Sequence, residues 1–123
     1  GRGLLAGSIR SLADLPQNDY RRLDPRFSDE NLAKNLAIVD AIGEIAGRHG
    51  VSRAQIALAW LLAQGDDIVP IPGVKRLETL RDSAGAPDVA LTAQDLAEIA
   101  AAVPGGSAAG PRYRASAMAS VKL

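Results

Sequence analysis

Residues 66–83, which read DDIVPIPGVKRLETLRDS, decide how the rest of the chain is interpreted. The pattern predicts a short buried strand over residues 68–71, a stop at the neighbouring prolines, and a helix that opens just after Lys75 and Arg76. A helix start presents free N–H groups and the positive end of the helix dipole, and Gly73 leaves the main chain open to a ligand. The stretch therefore predicts an anion-binding cradle, with an ordinary strand-to-helix turn carrying solvated cations as the alternative.

The composition restricts what the chain binds. Its 123 residues, 47% of them hydrophobic, have the length of one domain and enough apolar side chains for a core. Fourteen basic residues balance 14 acidic ones, so the global field that nucleic-acid or anionic-membrane binding needs is missing, and any phosphate binding must be local. The sequence has no cysteine and a single histidine, which argues against disulfides, thiolate or histidine metal sites and a cysteine nucleophile. We expect no metal site, no nucleic-acid or membrane partner, and a cytoplasmic location.

Two helices are predicted before the strand. The first has a helical period that begins after Ser28-Asp29-Glu30, keeps its apolar residues on one face, and ends at His49-Gly50, where glycine supplies a left-handed residue. The second opens with the capping-box spacing of Ser52 and Gln55 and is apolar almost all round as far as Ala63, so it needs cover on more than one side. His49 is accordingly interpreted as a C-terminal helix residue and not as a ligand or catalyst.

Two further helices are predicted after the strand. One runs from Leu77 to Gly85, and the other is capped at Thr92 and ended by Pro104. Residues 107–123 are small and polar, a composition typical of a mobile tail.

Two more groups of residues would extend an anion site. The loop over residues 1–7 combines three glycines with Arg2, so its N–H groups would face an anion and the guanidinium would close over it. Thr79, Asp82 and Ser83 stand one and two turns beyond the cations, where a planar group extending from a bound phosphate would meet them. A flexible terminus and a solvated helix face are the respective alternatives.

The order of elements indicates the fold class. Residues 8–28 show no sustained period, and Pro16 and Pro25 keep them from forming one helix, which is typical of a lid, a binding loop or disorder. The order loop, helix, helix, strand, helix, helix fits the end of an alternating β/α fold such as a (β/α)8 barrel, whose phosphate loops follow strands 7 and 8. A single strand cannot make a sheet, and the chain opens on Gly1 without a methionine, so we expect a piece of something larger.

Four stretches carry a resemblance to a known family. GRGLLAG at residues 1–7 resembles the end of the segment after strand 7 in aldo-keto reductases, and NLAKN at residues 31–35, AQIALAWLLAQ at residues 54–64 and IVPIPGVKR at residues 68–76 resemble later blocks in the correct order. The similarity is closest to the bacterial and plant branch, whose members end in a Gly-x-Arg-Tyr segment like residues 110–113. The chain thus resembles the C-terminal third of such a protein.

The resemblance implies an α/β fold in which residues 1–123 form the C-terminal part of one TIM-barrel domain. They would supply the loop after strand 7, an extra helix, helix 7, strand 8, helix 8, a final helix and the tail. The segment itself would be mostly α-helical with one clear strand, and the N-terminal part of the barrel would be absent.

The resemblance also implies an NADPH-dependent oxidoreductase that reversibly reduces aldehydes and ketones to alcohols. Its partners would be a small carbonyl substrate and the remainder of the barrel. Lys75 would bind the 2′-phosphate of NADPH with Arg76 beside it. The full set of cofactor-binding residues comprises Gly1, Arg2, Gly3, Gly73, Val74, Lys75, Arg76, Thr79, Asp82 and Ser83.

No residue of this chain corresponds to the family's catalytic Asp, Tyr, Lys and His, so no catalytic residue is assigned and the segment alone is expected to be inactive. Two other interpretations stay open. One is a stand-alone helical module that binds a partner through its apolar surface. The other is a non-catalytic subunit that senses NADPH on the same fold.

Overall fold

The computed structural model describes residues 1–118 and residue 121, and in this part of the chain the regular structure is helical. The helices are α1 Asp29–His49, α2 Arg53–Leu62, α3 Leu77–Ala84, α4 Ala93–Ala102 and α5 Ala115–Met118. Short 3-10 turns occur at Leu12–Asp14, Tyr20–Leu23, Pro25–Phe27 and Ala86–Asp88.

Helix α1 has the ends and the buried face that the sequence predicts. Two acidic residues lie in its first turn and Arg48 in its last turn, where each charge opposes the helix dipole. Gly50 follows with φ 64°, and its N–H group donates to the carbonyls of Ala46 and Gly47. Leu32, Leu36, Val39, Ile42 and Ala46 are buried or half-buried, and His49 is confirmed as a C-terminal helix residue.

Helix α2 begins with the predicted capping box. The N–H group of Gln55 donates to Ser52 Oγ and the N–H group of Ser52 donates to Gln55 Oε1, both at 3.1 Å. Ile56 and Ala59 are buried, while Leu61 on the far side is 37% exposed. We expected this apolar helix to be covered on more than one side. In the described residues that cover is only partial.

The core consists of two neighbouring apolar clusters that share α1. The first holds Leu4, Ile9, Leu15, Phe27, Leu32 and Val39, and the second holds Ile42, Ile45, Ala46, Ile56 and Ile99. Trp60 packs against the second cluster. Since α1 contributes to both clusters, it fixes the loop before it and the helices after it on one scaffold.

Arg53 joins the first loop to α1 and α2. Its Nε donates to the carbonyl of Val39 at 3.3 Å. A Cβ atom on Gly7 would lie 2.9 Å from Arg53 Cδ, and one on Gly43 would lie 2.6 Å from the Arg53 guanidinium nitrogens. Glycine at these two positions therefore makes room for the arginine side chain.

The predicted strand over residues 68–71 is not formed. These residues have no regular structure in the described chain, and Val69 and Ile71 are 78% and 94% exposed. A strand is stable only when its N–H and C=O groups pair with a neighbour, and the described residues contain no second strand. Pro70 and Pro72 also lack the N–H group that such pairing uses. The prediction of one clear strand is wrong for the described residues, whereas the two helices predicted after it, α3 and α4, are confirmed.

The segment over residues 8–28 is more regular than its sequence suggests. Besides its three 3-10 turns, the Asp14 carboxylate accepts from the N–H groups of Arg10 and Ser11 at 2.7 and 2.8 Å. The Arg22 guanidinium donates to the carbonyls of Leu12 and Leu15. Side chains thus satisfy the backbone groups that a structureless loop would leave to water.

The tail is ordered by side-chain contacts over residues 109–113 and by α5, which corrects the expectation of a mobile tail for that part. Residues 119, 120, 122 and 123 of the predicted tail lie outside the described residues. No helix in the described part of the chain is both long and apolar enough to cross a bilayer.

Candidate anion-binding site

The loop that opens the chain is a tight turn with an unusual backbone. The N–H group of Leu4 donates to the carbonyl of Gly1 at 2.9 Å, and the two residues between them have φ of 51° at Arg2 and 85° at Gly3. Positive φ at both central positions is the property of type I′ turns, and it is uncommon for a residue with a side chain. Arg21 Nη1 holds the turn by donating to the carbonyl of Arg2 at 3.0 Å.

The side chain of Arg2 is fixed on three sides. Its Nη1 donates to the carbonyl of Arg112 at 2.8 Å, and the guanidinium carbon lies 4.7 Å from the centre of the Tyr113 ring. The same Nη1 is 3.4 Å from Asp24 Oδ2, an ion-pair distance without the alignment of a hydrogen bond. This buried oxygen has no hydrogen-bond partner in the described residues, so Arg2 supplies the charge that compensates it.

Besides the bond from Arg2 to the Arg112 carbonyl, one asparagine and a second arginine attach the tail segment to the rest of the structure. Asn35 Oδ1 accepts from the N–H group of Ala109 at 2.8 Å, and its Nδ2 donates to the Ala109 carbonyl at 3.1 Å. Arg26 Nε donates to the carbonyl of Gly110 at 3.2 Å. Gly110 has φ 84°, and a Cβ there would lie 3.0 Å from the backbone of Pro25. The tail therefore approaches closely enough to require glycine.

A cavity of about 400 Å³ lies between the opening turn and the tail. Three arginines, Arg2, Arg26 and Arg112, are among its lining residues, beside apolar residues that include Leu4 and Phe27. Guanidinium groups bind phosphate and carboxylate oxygens in pairs, so the cavity suits an anion.

The predicted cradle at Gly73 to Arg76 lies on the surface before α3. All four residues are exposed, and an ideal Cβ on Gly73 would have no atom within 4 Å. Arg76 is the N-cap residue of α3, and its Nη2 lies 3.5 Å from Glu78 Oε1 in an exposed ion pair. Lys75 is therefore exposed to an approaching anion, Arg76 shares its charge with Glu78, and the main chain at Gly73 is open.

The other predicted residues of this site lie on α3. Thr79, Asp82 and Ser83 are half-buried, and Asp82 Oδ2 accepts a hydrogen bond from Ser52 Oγ at 2.9 Å. None of the predicted residues between 73 and 83 lines the cavity beside Arg2. The described chain thus brings Gly1 and Arg2 together with Arg26 and Arg112, and holds the residues before and on α3 as a separate surface.

Four residues of the cavity region were missed as site residues from the sequence, namely Asp24, Arg26, Arg112 and Tyr113. The last two lie in the Gly-x-Arg-Tyr segment that carries the family resemblance, which was the available signal. In the described residues no three His, Cys, Asp or Glu side chains are grouped so as to hold a metal ion.

Comparison with known proteins shows which family this chain resembles. The family model described as "Aldo/keto reductase family" matches residues 1–104. An aldo-keto reductase of Schizosaccharomyces pombe, yakc, whose name carries the designation NADP(+), is 45% identical over 113 residues, covering 92% of this chain and 33% of that protein.

Two other relatives give the same result. The "Probable aldo-keto reductase 1" of Glycine max is 44% identical over 113 residues, covering 92% of this chain and 32% of that protein. The "Aldo-keto reductase str7" of Strobilurus tenacellus is 39% identical over 99 residues, covering 80% of this chain and 30% of that protein. The chain spans about a third of the length of these curated relatives.

Proposed function

This chain belongs to the aldo/keto reductase family, and on that premise we propose that the complete protein is an NADPH-dependent oxidoreductase that reversibly reduces aldehydes and ketones to alcohols. The observation that carries the proposal is the family match over residues 1–104, together with a relative of 45% identity that is named for NADP(+). A cytoplasmic location and a small carbonyl substrate stay predictions.

We further propose that residues 1–123 are the C-terminal third of a (β/α)8 barrel of the bacterial and plant branch. The support is the order of the matching motifs and the exposure of apolar side chains between α2 and α3. Val69 and Ile71 before α3 are 78% and 94% exposed, and Leu77 at the start of α3 is 60% exposed, and a neighbouring part of a barrel would cover such apolar side chains. The remainder of the barrel is thus the proposed partner of this surface.

The residues present fit a phosphorylated dinucleotide. Gly73 leaves open space for close approach to the main chain, and Lys75 and Arg76 add two cations at the start of α3. When bound, the nicotinamide cofactor supplies the hydride for carbonyl reduction. In this chain Gly73 and Val74 would line the adenosine end, Lys75 would bind the 2′-phosphate, and Arg76 would stack on adenine.

The helix α3 would hold the adenine itself. Thr79, Asp82 and Ser83 are its candidate contacts, and the bond from Ser52 leaves one Asp82 oxygen for a ligand. Gly1, Arg2 and Gly3 would lie along the pyrophosphate. These residues bind and orient, and the proton donor belongs to the part of the family pattern that has no match in this chain.

The proposal is tested with Lys75→Ala in the complete protein. A lost charge-assisted hydrogen bond is worth about 1.5–3 kcal/mol, so the KM for NADPH should rise about 10- to 100-fold while the KM for NADH changes little. Arg81→Ala, which removes an exposed cation from the last turn of the same helix, is the matched control and should leave both constants unchanged. An equal rise for both cofactors would remove Lys75 from the 2′-phosphate.

A stand-alone helical module is the second candidate, and the exposed apolar residues 68–80 are the observation that favours it. It requires that residues 1–123 purified alone be monomeric, unfold cooperatively and ignore NADPH in a fluorescence titration. A segment that becomes ordered only with the rest of the barrel would exclude it. A non-catalytic NADPH sensor would instead bind the cofactor in the complete protein without oxidising it in the presence of any carbonyl compound.

A further inference from the structure

We propose that Ser52 is a positioning residue of the cofactor site: its hydroxyl holds Asp82, and through Asp82 it sets the orientation of α3. This inference rests on the proposed binding of NADPH by the residues before and on α3. The sequence indicated Ser52 only as the residue that caps a different helix, α2.

The orientation of α3 depends on few contacts. No residue of this helix is buried, and most of its residues are exposed. Within the described part of the chain, the bond from Ser52 Oγ to Asp82 Oδ2, at 2.9 Å, is the one side-chain hydrogen bond between α3 and the rest of the fold. A segment with few buried apolar contacts opens easily, so the polar contacts that remain control its orientation.

The hydroxyl of Ser52 has a defined direction. Its oxygen accepts from the N–H group of Gln55 at 3.1 Å, which leaves its proton to donate to the Asp82 carboxylate. An ionised carboxylate has no proton to give, so the bond forms only in this sense. The same hydroxyl therefore caps α2 and holds α3.

Gln55 supports the contact from the same capping box. Its Oε1 accepts from the N–H group of Ser52 at 3.1 Å, and an ideal Cβ on Gly85 would lie 2.5 Å from its Nε2. The amide thus lies against the backbone that ends α3, where glycine leaves the room. Ile56, the next residue of α2, is 0% exposed in the second cluster, so the start of α2 is a fixed reference for α3.

The residues that would meet the cofactor move with α3. Lys75 and Arg76 directly precede the helix, and Thr79 and Ser83 lie on it. Loss of the serine bond should therefore weaken the contacts to the whole adenosine end of the cofactor. A helix that is held before its ligand arrives also loses less conformational entropy on binding.

The test measures dissociation constants of the complete protein for NADPH and for adenosine 2′,5′-bisphosphate, a probe that carries only the adenosine end. Ser52→Ala should weaken both about 3- to 10-fold, the size of one lost hydrogen bond. Ser52→Thr keeps the hydroxyl and should bind both like the parent protein. Unchanged binding in Ser52→Ala would overturn the inference.

Capping and positioning are separated by two further variants, measured below their unfolding temperatures. Aspartate caps a helix as well as serine does, but it cannot donate to Asp82, so Ser52→Asp should bind both probes at least as weakly as Ser52→Ala. Thr92→Ala removes the equivalent capping residue of α4 and is the matched control. It should lower the unfolding temperature and leave both dissociation constants unchanged. Equal weakening in Thr92→Ala would reduce Ser52 to a stabilising residue and refute its positioning role.

A double variant tests whether Ser52 acts through Asp82. Ser52→Ala combined with Asp82→Ala should bind no more weakly than Asp82→Ala alone, and losses that add would overturn the inference. A parent protein that fails to bind NADPH refutes the proposed function itself. NADPH-selective loss in Lys75→Ala with unchanged binding in Ser52→Ala keeps that function and refutes the positioning role alone.

Discussion

Nε2 of His49 lies 2.9 Å from Oδ2 of Asp95, and this contact joins the last residue of α1 to the first turn of α4. The same carboxylate accepts from the N–H and hydroxyl groups of Thr92 at 2.9 and 2.7 Å, and Arg48 Nη2 donates to its other oxygen at 2.9 Å. Asp95 is buried, so one carboxylate both caps α4 and connects it to α1.

Asp95 should control the acid stability of the protein. Its pKa lies well below the ordinary value because the Thr92 hydroxyl and N–H groups, then Arg48 and His49, hydrogen-bond to the charged form. A depressed pKa means that the folded state binds fewer protons, so the stabilisation is present above the unfolded pKa of about 3.9 and is lost as pH falls through the folded pKa. Asp95→Asn should lower the unfolding temperature at neutral pH and flatten its fall below about pH 4.

Unfolding temperatures of the complete protein across this pH range check the prediction. Asp66→Asn, at an exposed loop position, is the control and should follow the parent curve. An Asp95→Asn variant whose stability falls with acid as steeply as the parent would show that other carboxylates carry the acid sensitivity.

Gly110→Ala should destabilise the tail segment. Gly110 has φ 84°, which disfavours any L side chain, and the new Cβ would lie 3.0 Å from the fixed backbone of Pro25. We expect a loss of about 1–3 kcal/mol in the free energy of unfolding, measured with urea. Gly105→Ala is the matched control because no atom lies within 4 Å of its ideal Cβ, and a comparable loss there would contradict the assignment.

Phe27→Ala should be among the most damaging substitutions in the first cluster. Phe27 is 1% exposed, and removing such a side chain leaves a cavity that costs about 3–5 kcal/mol. Leu23→Ala, a few residues away with 64% of the side chain exposed, should change stability by no more than about 0.5 kcal/mol. Similar effects of the two substitutions in denaturant unfolding would argue against the packing described for Phe27.

Ile71→Ser tests the proposed barrel. Ile71 is 94% exposed in this chain, so the substitution should be nearly neutral if that surface stays open. If the rest of a barrel covers it, the complete protein should lose about 2 kcal/mol or more of stability. Leu23→Ser is the control at an exposed apolar site, and a neutral result at Ile71 would count against the barrel.

The structural features that were predicted correctly are those that depend on residues close together in the sequence. The Ser52 and Gln55 spacing located the start of α2, and the apolar face beginning at Leu32 located α1, because caps and helical periodicity act over three to four residues. The strand at residues 68–71 failed for the opposite reason, since a strand is completed by distant partners. A glycine-rich loop at residues 1–7 was predicted, but its tight turn at Arg2 and the arginines near it were not.

The contact between Arg2 and the Arg112 carbonyl joins residues 110 positions apart. The two sides of the cavity are therefore synthesised at different times. At about 5–20 residues per second, a ribosome adds Arg112 some 5 to 20 seconds after Arg2. During that interval the helices can pack. The Arg2 guanidinium, which compensates the charge of Asp24, then lacks the Arg112 carbonyl that holds it, and the cavity has no outer wall. The cavity is therefore completed only after the tail has been translated, and a stalled chain that lacks residues 109–113 should lack the outer wall of the cavity.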